Sequence, residues 1–250
     1  MLRFSSLLQY PASFARGAYQ KETWIMIQQV TDDNDHISVD MIIRNDLEVY
    51  EGNLTTYFPI VLQAARNWRH GYHNFRHVFH VLWLCHAACR YYATSLTLRQ
   101  RRNLLVAALF HDFDHIGRSG DDDLNIELAI RGLYKHILPE DAGHVGSIVS
   151  LIQITQYPYK PGSEDELSLS AQILRDADSS QALSSAWLQQ VLFGLGDEMG
   201  VGPITILGRQ AQFHRDLRFR TEWAQKRFPQ SVIDAKIAEA RGLLALLNSD

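Results

Sequence analysis

The sequence predicts an all-α fold, a bundle of helices joined by short connections, and three observations carry that prediction. Apolar residues recur at three- and four-residue steps in almost every segment after Asn53. No run of four or more residues alternates convincingly between apolar and polar, so no strand is expected. Helix-stopping residues interrupt the periodic segments at Gly71, Thr94-Ser95, Gly117 to Gly120 and Pro139. In such a bundle a site is built from side chains that project inward from several helices.

Residues 1–50 read as an irregular extension, with a polar loop "TDDNDH" (Thr31 to His36) followed by the short apolar piece "ISVDMII". From there to residue 250 a single domain is expected, with no repeat or Pro/Gly/Ser linker to divide it. "YFPIVLQAARNW", "HVFHVLWLCHAACRYY", "RQRRNLLVAALFHDF" and "NIELAIRGLYKHI" each show a helical stripe. "PEDAGHVGSIVSLIQIT" opens with Pro in its first turn and acids behind it, a good helix start. "SLSAQILRDADSSQALSSAWLQQVLFGL", "ITILGRQAQFHRDLRFRTEWAQKRF" and "VIDAKIAEARGLLALL" continue the pattern to the end.

Composition narrows the function classes. At 46% hydrophobic and 21% charged residues over 250 positions, the chain can build a full core. A net charge of −4 exerts no general pull on nucleic acid or anionic lipid. The basic runs "RQRR" (Arg99 to Arg102) and "FHRDLRFR" (Phe213 to Arg220) are expected to be solvated faces, as are "DDD" (Asp121 to Asp123) and "SEDE" (Ser163 to Glu166). Cys85 and Cys89 share a helix face at the wrong spacing for a zinc knuckle or redox pair, and read as small core residues in a reducing compartment. No apolar stretch reaches the length of a membrane span. The first 20 residues lack acids and contain Arg3 and Arg16, a faint transit-peptide signal. A cytoplasmic protein is the expectation.

Histidine and aspartate are concentrated where apolar helices end. His73 and His77 stand one turn apart on one helix face. His111-Asp112 closes "NLLVAALF", and Asp176-Ala177-Asp178 closes "LSLSAQIL". A lone histidine on an apolar face is ordinarily a hydrogen-bonded core residue, and a lone Asp ordinarily a helix cap. Three apolar helices delivering His and Asp together is another matter. Unpaired ionised groups are costly to bury, and a bound cation removes that cost. Mixed imidazole and carboxylate ligands suit Zn, Mn, Fe or Mg. His36, His70, His80, His86, His136, His144 and His214 are expected to have ordinary structural roles.

The order of these motifs resembles the HD superfamily of metal-dependent phosphohydrolases. The fuller strings "YHNFRH" (Tyr72 to His77), "HDFDHIG" (His111 to Gly117) and "DADSS" (Asp176 to Ser180) are similar to the signature of class I cyclic-nucleotide phosphodiesterases, over roughly residues 68–220. Small bacterial HD proteins share the likeness. The resemblance implies an HD/PDEase-like helical bundle occupying residues 51–250. It also implies His77, His111, Asp112 and Asp178 as metal ligands, with Asp178 chosen over Asp176 because it follows Ala in the "AD" pair. Asp112 would bridge to a second divalent ion held largely by water. His73 falls where the family places its general acid, and His115 near the metal-bound water. Tyr72 belongs to the substrate pocket. Gln210 with Phe213 resembles the glutamine and aromatic clamp around the base, and Gln181 stands where the family often has Asn. "TQY" (Thr155 to Tyr157) stands where many HD enzymes carry another ligand histidine. The usual Asn-then-Phe after the HD motif is missing too.

The implied function is a metal-dependent phosphodiesterase acting on a (cyclic) nucleotide, through a metal-activated hydroxide and a histidine acid. Its cofactors would be two divalent ions among Mg, Mn, Zn or Fe, with Asp114 orienting a neighbouring histidine. The partner expected is a small nucleotide, with no nucleic acid and no membrane; a homodimer is left open. A nucleotide monophosphatase or alarmone hydrolase is the alternative within hydrolases. From other classes come a nucleotide-sensing module and an HD-fold di-iron oxygenase, the latter requiring His136 and His144 to point inward.

Overall fold

The computed structural model describes residues 47–118, 120, 122–159 and 167–248, with only the backbone of Trp68. The loop at 31–36, the apolar piece after it and the acidic run at 163–166 lie outside the described residues. Every regular element among those described is helical. The longer ones are α1 (Tyr57–Ala64), α2 (Phe75–Tyr91), α3 (Leu98–Phe110), α4 (Asp122–His136), α6 (Val145–Gln153), α7 (Leu169–Ser179), α9 (Pro203–Asp216) and α11 (Gln230–Leu247). Short α5 (Pro139–Ala142), α8 (Gly196–Met199) and α10 (Glu222–Arg227) lie between them, with a π-helical segment at Leu188–Leu195.

Local chemistry sets the helix starts. The Asn74 side chain accepts from Arg76 N at 2.8 Å to cap α2. Thr97 and Gln100 form a reciprocal capping box at the start of α3. Ser168 and Thr221 cap α7 and α10. Two expected long helices are divided. The 139–155 stretch breaks at Gly143-His144, and the 168–195 stretch at a 3₁₀ turn, Ser180–Leu183. There Ser180 Oγ bonds back to Ala177 O and Ser184 Oγ to Gln181 O, so the serines compete with helical bonding.

Helices α2 and α3 form the centre. Every residue from His77 to Cys89 and from Arg101 to Phe110 is buried, so both are enclosed on all sides, packed on each other and on α7. Val49 and Tyr50 already belong to this core. A smaller second core, around Trp187, Val191, Ile206, Leu207 and Ala240, joins the π segment to α9 and α11, and Phe213 touches both cores.

The run "RQRR" is not the solvated face expected of it. Arg102 is 1% exposed and Arg101 5%. Arg102 reaches Asp141 at 2.6 and 2.7 Å, Glu140 at 2.6 Å and the Glu51 carbonyl at 2.7 Å. Tyr57 Oη donates to the same Asp141 at 2.8 Å, tying α1, α3 and α5 together. Burial, reinforced by that carboxylate, pushes the Tyr57 phenol far above its usual range. Removing one partner from such a pair leaves the other charge uncompensated. Asp141→Ala should therefore lower the unfolding free energy by about 3–5 kcal/mol in urea titrations, whereas Asp141→Asn, which keeps hydrogen-bonding capacity, should lose less.

Candidate metal centre and acid site

Three helix ends converge at the centre: the start of α2, the end of α3 and the end of α7. Buried Asn67, which sequence reading passed over, clips two of them together. Its amide nitrogen donates to His73 O at 2.7 Å and Asp112 O at 2.8 Å, while its oxygen accepts from Asp114 N at 3.1 Å. That last bond helps hold Asp114 in the left-handed region at φ 63°. The Asp114 carboxylate accepts from Arg66 N at 2.7 Å and from its guanidinium at 3.0 Å, so it locks a turn instead of orienting a histidine as expected.

His77, His111, Asp112 and Asp178 come together. His77 Nε2 lies 3.0 Å from Asp178 Oδ1, 3.4 Å from Asp112 Oδ2 and 3.3 Å from His111 Nε2. His111 Nε2 is 3.4 Å from Asp112 Oδ2 and 3.6 Å from Asp178 Oδ1. His111 Nδ1 sits 2.8 Å from Ala108 O, which places its proton there and leaves the Nε2 lone pair facing the cluster. Asp112 Oδ2 is buried with no hydrogen-bond partner among the described residues. Two imidazole nitrogens and two carboxylates, one of them with an orphaned oxygen, make a donor set that a divalent cation satisfies. Burial would lower the His111 pKa, but Asp112 and Asp178 overcome it and push it up to about 9. Both carboxyls are held below their usual range by the histidines despite burial, Asp178 far below.

The doublet Asp176-Ala177-Asp178 divides by role. Asp176 accepts from Arg220 N at 3.0 Å, Thr221 N at 2.8 Å and Thr221 Oγ1 at 2.7 Å, so it fastens the loop before α10 to α7. Asp176→Ala should leave metal content unchanged while costing about 1–3 kcal/mol of stability from the orphaned donors; metal analysis alongside thermal melting separates the two effects.

Beside this cluster His73 meets a carboxylate from far along the chain. Its Nδ1 is 2.6 Å from Glu198 Oε2, and Glu198 Oε1 accepts from the amides of Tyr72 at 2.5 Å and His73 at 2.8 Å. Two glycines permit this approach. A Cβ on Gly71 would stand 2.4 Å from Gly194 O, and one on Gly194 would stand 2.2 Å from Gly71 O, so the loop and the π segment touch backbone to backbone. Burial opposes charge on His73, yet the Glu198 bond raises its pKa. His115 stacks on His73 at 3.6 Å between ring centroids, and burial with that neighbour lowers its pKa to about 4. One ring is poised to hold a proton and the other stays neutral.

The remaining site residues are placed as follows. Tyr72 lies against the His77 ring at 4.7 Å. Gln181 and Gln210 are buried, and each has an Oε1 without a hydrogen-bond partner among the described residues. His214 bonds Gln210 O at 2.7 Å and Ala182 O at 3.3 Å, which latches α9 beside the Gln181 turn. Phe213, half-buried on that helix, wedges between the two cores. His144 is exposed and His136 packs on Phe113 at 5.7 Å; neither joins the cluster. Thr155 caps the end of α6 through Ile152 O at 2.8 Å. His70, expected to be ordinary, instead lies with His115 and Glu198.

No curated protein and no solved structure matches the chain. Among the described residues no single helix is long and apolar enough to cross a membrane. The family model described as 3'5'-cyclic nucleotide phosphodiesterase matches residues 72–174, which take in both histidine motifs, the whole of α2 and α3, and α7 as far as Leu174. The all-α architecture agrees with it. The match over residues 72–174 supports a catalytic domain of the cyclic nucleotide phosphodiesterase and HD type, a type that is a metal-dependent phosphohydrolase.

Proposed function

We propose that this protein hydrolyses a nucleotide phosphodiester, a cyclic nucleotide foremost, with His73 as general acid. The observation that carries the reading is the His73–Glu198 pair at 2.6 Å, set 6.1 Å between ring centroids from His77 in the cation-type cluster. His77, His111, Asp112 and Asp178 would hold divalent metal, two ions in all with Asp112 shared. Such ions clamp phosphoryl oxygens and lower the pKa of water to near neutrality. Glu198 holds the proton on His73 Nδ1 and fixes the ring through its two amide bonds, leaving Nε2 to protonate the departing alkoxide. Neutral His115, stacked on that ring, lines the site without adding a competing charge. Tyr72 walls one side. Gln181 and Gln210, each with an unpartnered amide oxygen, would read the base, with Phe213 supplying an aromatic face. Free, buried Cys85 and Cys89 support a reducing, cytoplasmic setting.

The test is purified chain with Mg or Mn against a panel of cyclic and linear nucleotides, run with and without oxygen. Nucleoside monophosphate should form from a cyclic nucleotide at the same rate in both atmospheres and stop with chelator. Release of phosphate from monophosphates alone would make it a monophosphatase. Pyrophosphate from guanosine tetraphosphate would make it an alarmone hydrolase, and dependence on oxygen would move it to the oxygenases.

A further inference from the structure

A second set of ligand-type side chains stands outside the cluster described above. His70, His115 and Glu198 each present a ligand atom, and these atoms all lie within 4.8 Å of one another. His70 is on the loop leading into α2, and its Nδ1 is buried without a hydrogen-bond partner among the described residues. The ring faces Gly117, where a Cβ would stand 2.9 Å from that nitrogen; the glycine, at φ +67°, keeps the space open. His115 accepts one bond from a neutral amide, Gly117 N at 3.0 Å, a weak competitor for a cation. Glu198 is ionised, kept below the usual carboxylate range by His73 in spite of burial. Two imidazoles and one carboxylate make a donor set for zinc and similar borderline cations.

The carboxylate has a prior commitment. Its Oε2 is the atom bonded to His73 at 2.6 Å. We infer that His70, His115 and Glu198 form an inhibitory site for a transition-metal ion such as zinc, which acts by drawing Glu198 away from His73. Filling it removes the acceptor that orients the His73 ring and sets a positive charge beside it, and both changes disfavour the protonated ring. Imidazole ligands must be unprotonated, so binding tightens as pH rises. The effect on rate rests on the reading of His73 as acid; the metal binding does not.

The experiment uses the full chain in saturating Mg, with zinc added to wild type, His70→Ala and His70→Gln. Equilibrium dialysis should find one more zinc per chain in wild type than in either variant. Hydrolysis of a nucleotide phosphodiester by wild type should fall as that zinc binds. Both variants should keep the basal rate and need at least about 10–100-fold more zinc for the same loss, since even residues behind a ligand matter by that factor. Equal zinc counts in all three proteins overturn the site, and so does equal inhibition of all three. A p-nitrophenyl diester, whose leaving group needs no proton, should be largely spared. His70-dependent zinc binding that slows both substrates equally keeps the site and overturns the acid reading.

Discussion

Alanine at His77, His111, Asp112 or Asp178 abolishes phosphodiester hydrolysis and lowers bound metal, while the fold survives. The reason is geometric. The two histidine nitrogens lie 3.3 Å apart and each stands 3.0–3.6 Å from a carboxylate oxygen of Asp112 and of Asp178, so removing any one of the four opens one side of the cation position. Asp112 Oδ2 is buried with no hydrogen-bond partner among the described residues, so a cation is the group that would satisfy it. Metal content by elemental analysis and activity are measured on the same preparations, with circular dichroism as the folding check. Asp178→Ala with full metal content and full activity would remove α7 from the site and leave the cluster as packing.

Glu198→Gln lowers kcat by about 10²–10⁴ with a nucleotide substrate, the range expected when a general acid is lost, and metal content stays at the wild-type level. His73→Ala behaves alike, because the two side chains act as one unit and their losses do not add. The pH profile carries the sign. Glu198 raises the His73 pKa, so the proton is retained and activity is lost only as pH rises through that raised value. Taking away the carboxylate charge lets burial dominate, the pKa falls, and the alkaline limb of the profile moves to lower pH. With a p-nitrophenyl diester the loss in both variants shrinks greatly. An equal loss on both substrates, or loss of metal from the His73 variant, would make His73 a ligand or a positioning residue.

How much was legible beforehand depends on the range of the interaction. The adjacency of His111 and Asp112 delivers both to the end of α3, but His73 and His77 do not share a helix face as expected: α2 begins at Phe75 with extended Asn74 as its cap, so His73 stands on the turn before the helix. Between Asp176 and Asp178 the residues alone do not decide; the resemblance prefers Asp178 through the "AD" pair. What distinguishes them in the fold is that Asp176 finds the amides of Arg220 and Thr221, 44 and 45 residues on. Asn67 carried no signal, since a buried amide that bonds two loop carbonyls looks like any surface Asn. The arginines of "RQRR" misled because a charge run is solvated unless a partner sits across the fold, and Asp141, 39 residues on, is that partner.

By itself, then, the sequence determined the all-α class, the core helices α2 and α3, and the polar residues delivered at their ends. Each follows from periodicity and capping, which act over a few residues. Only the tertiary structure decided what those residues meet. Glu198 reaches His73 across 125 positions because Gly71 and Gly194 let two backbones touch. His70 joins His115 only because Gly117 leaves room for its ring. Such contacts depend on how separately coded segments pack, and they set the charge states: Glu198 holds a proton at His73 against burial, while burial beside His73 denies one to His115.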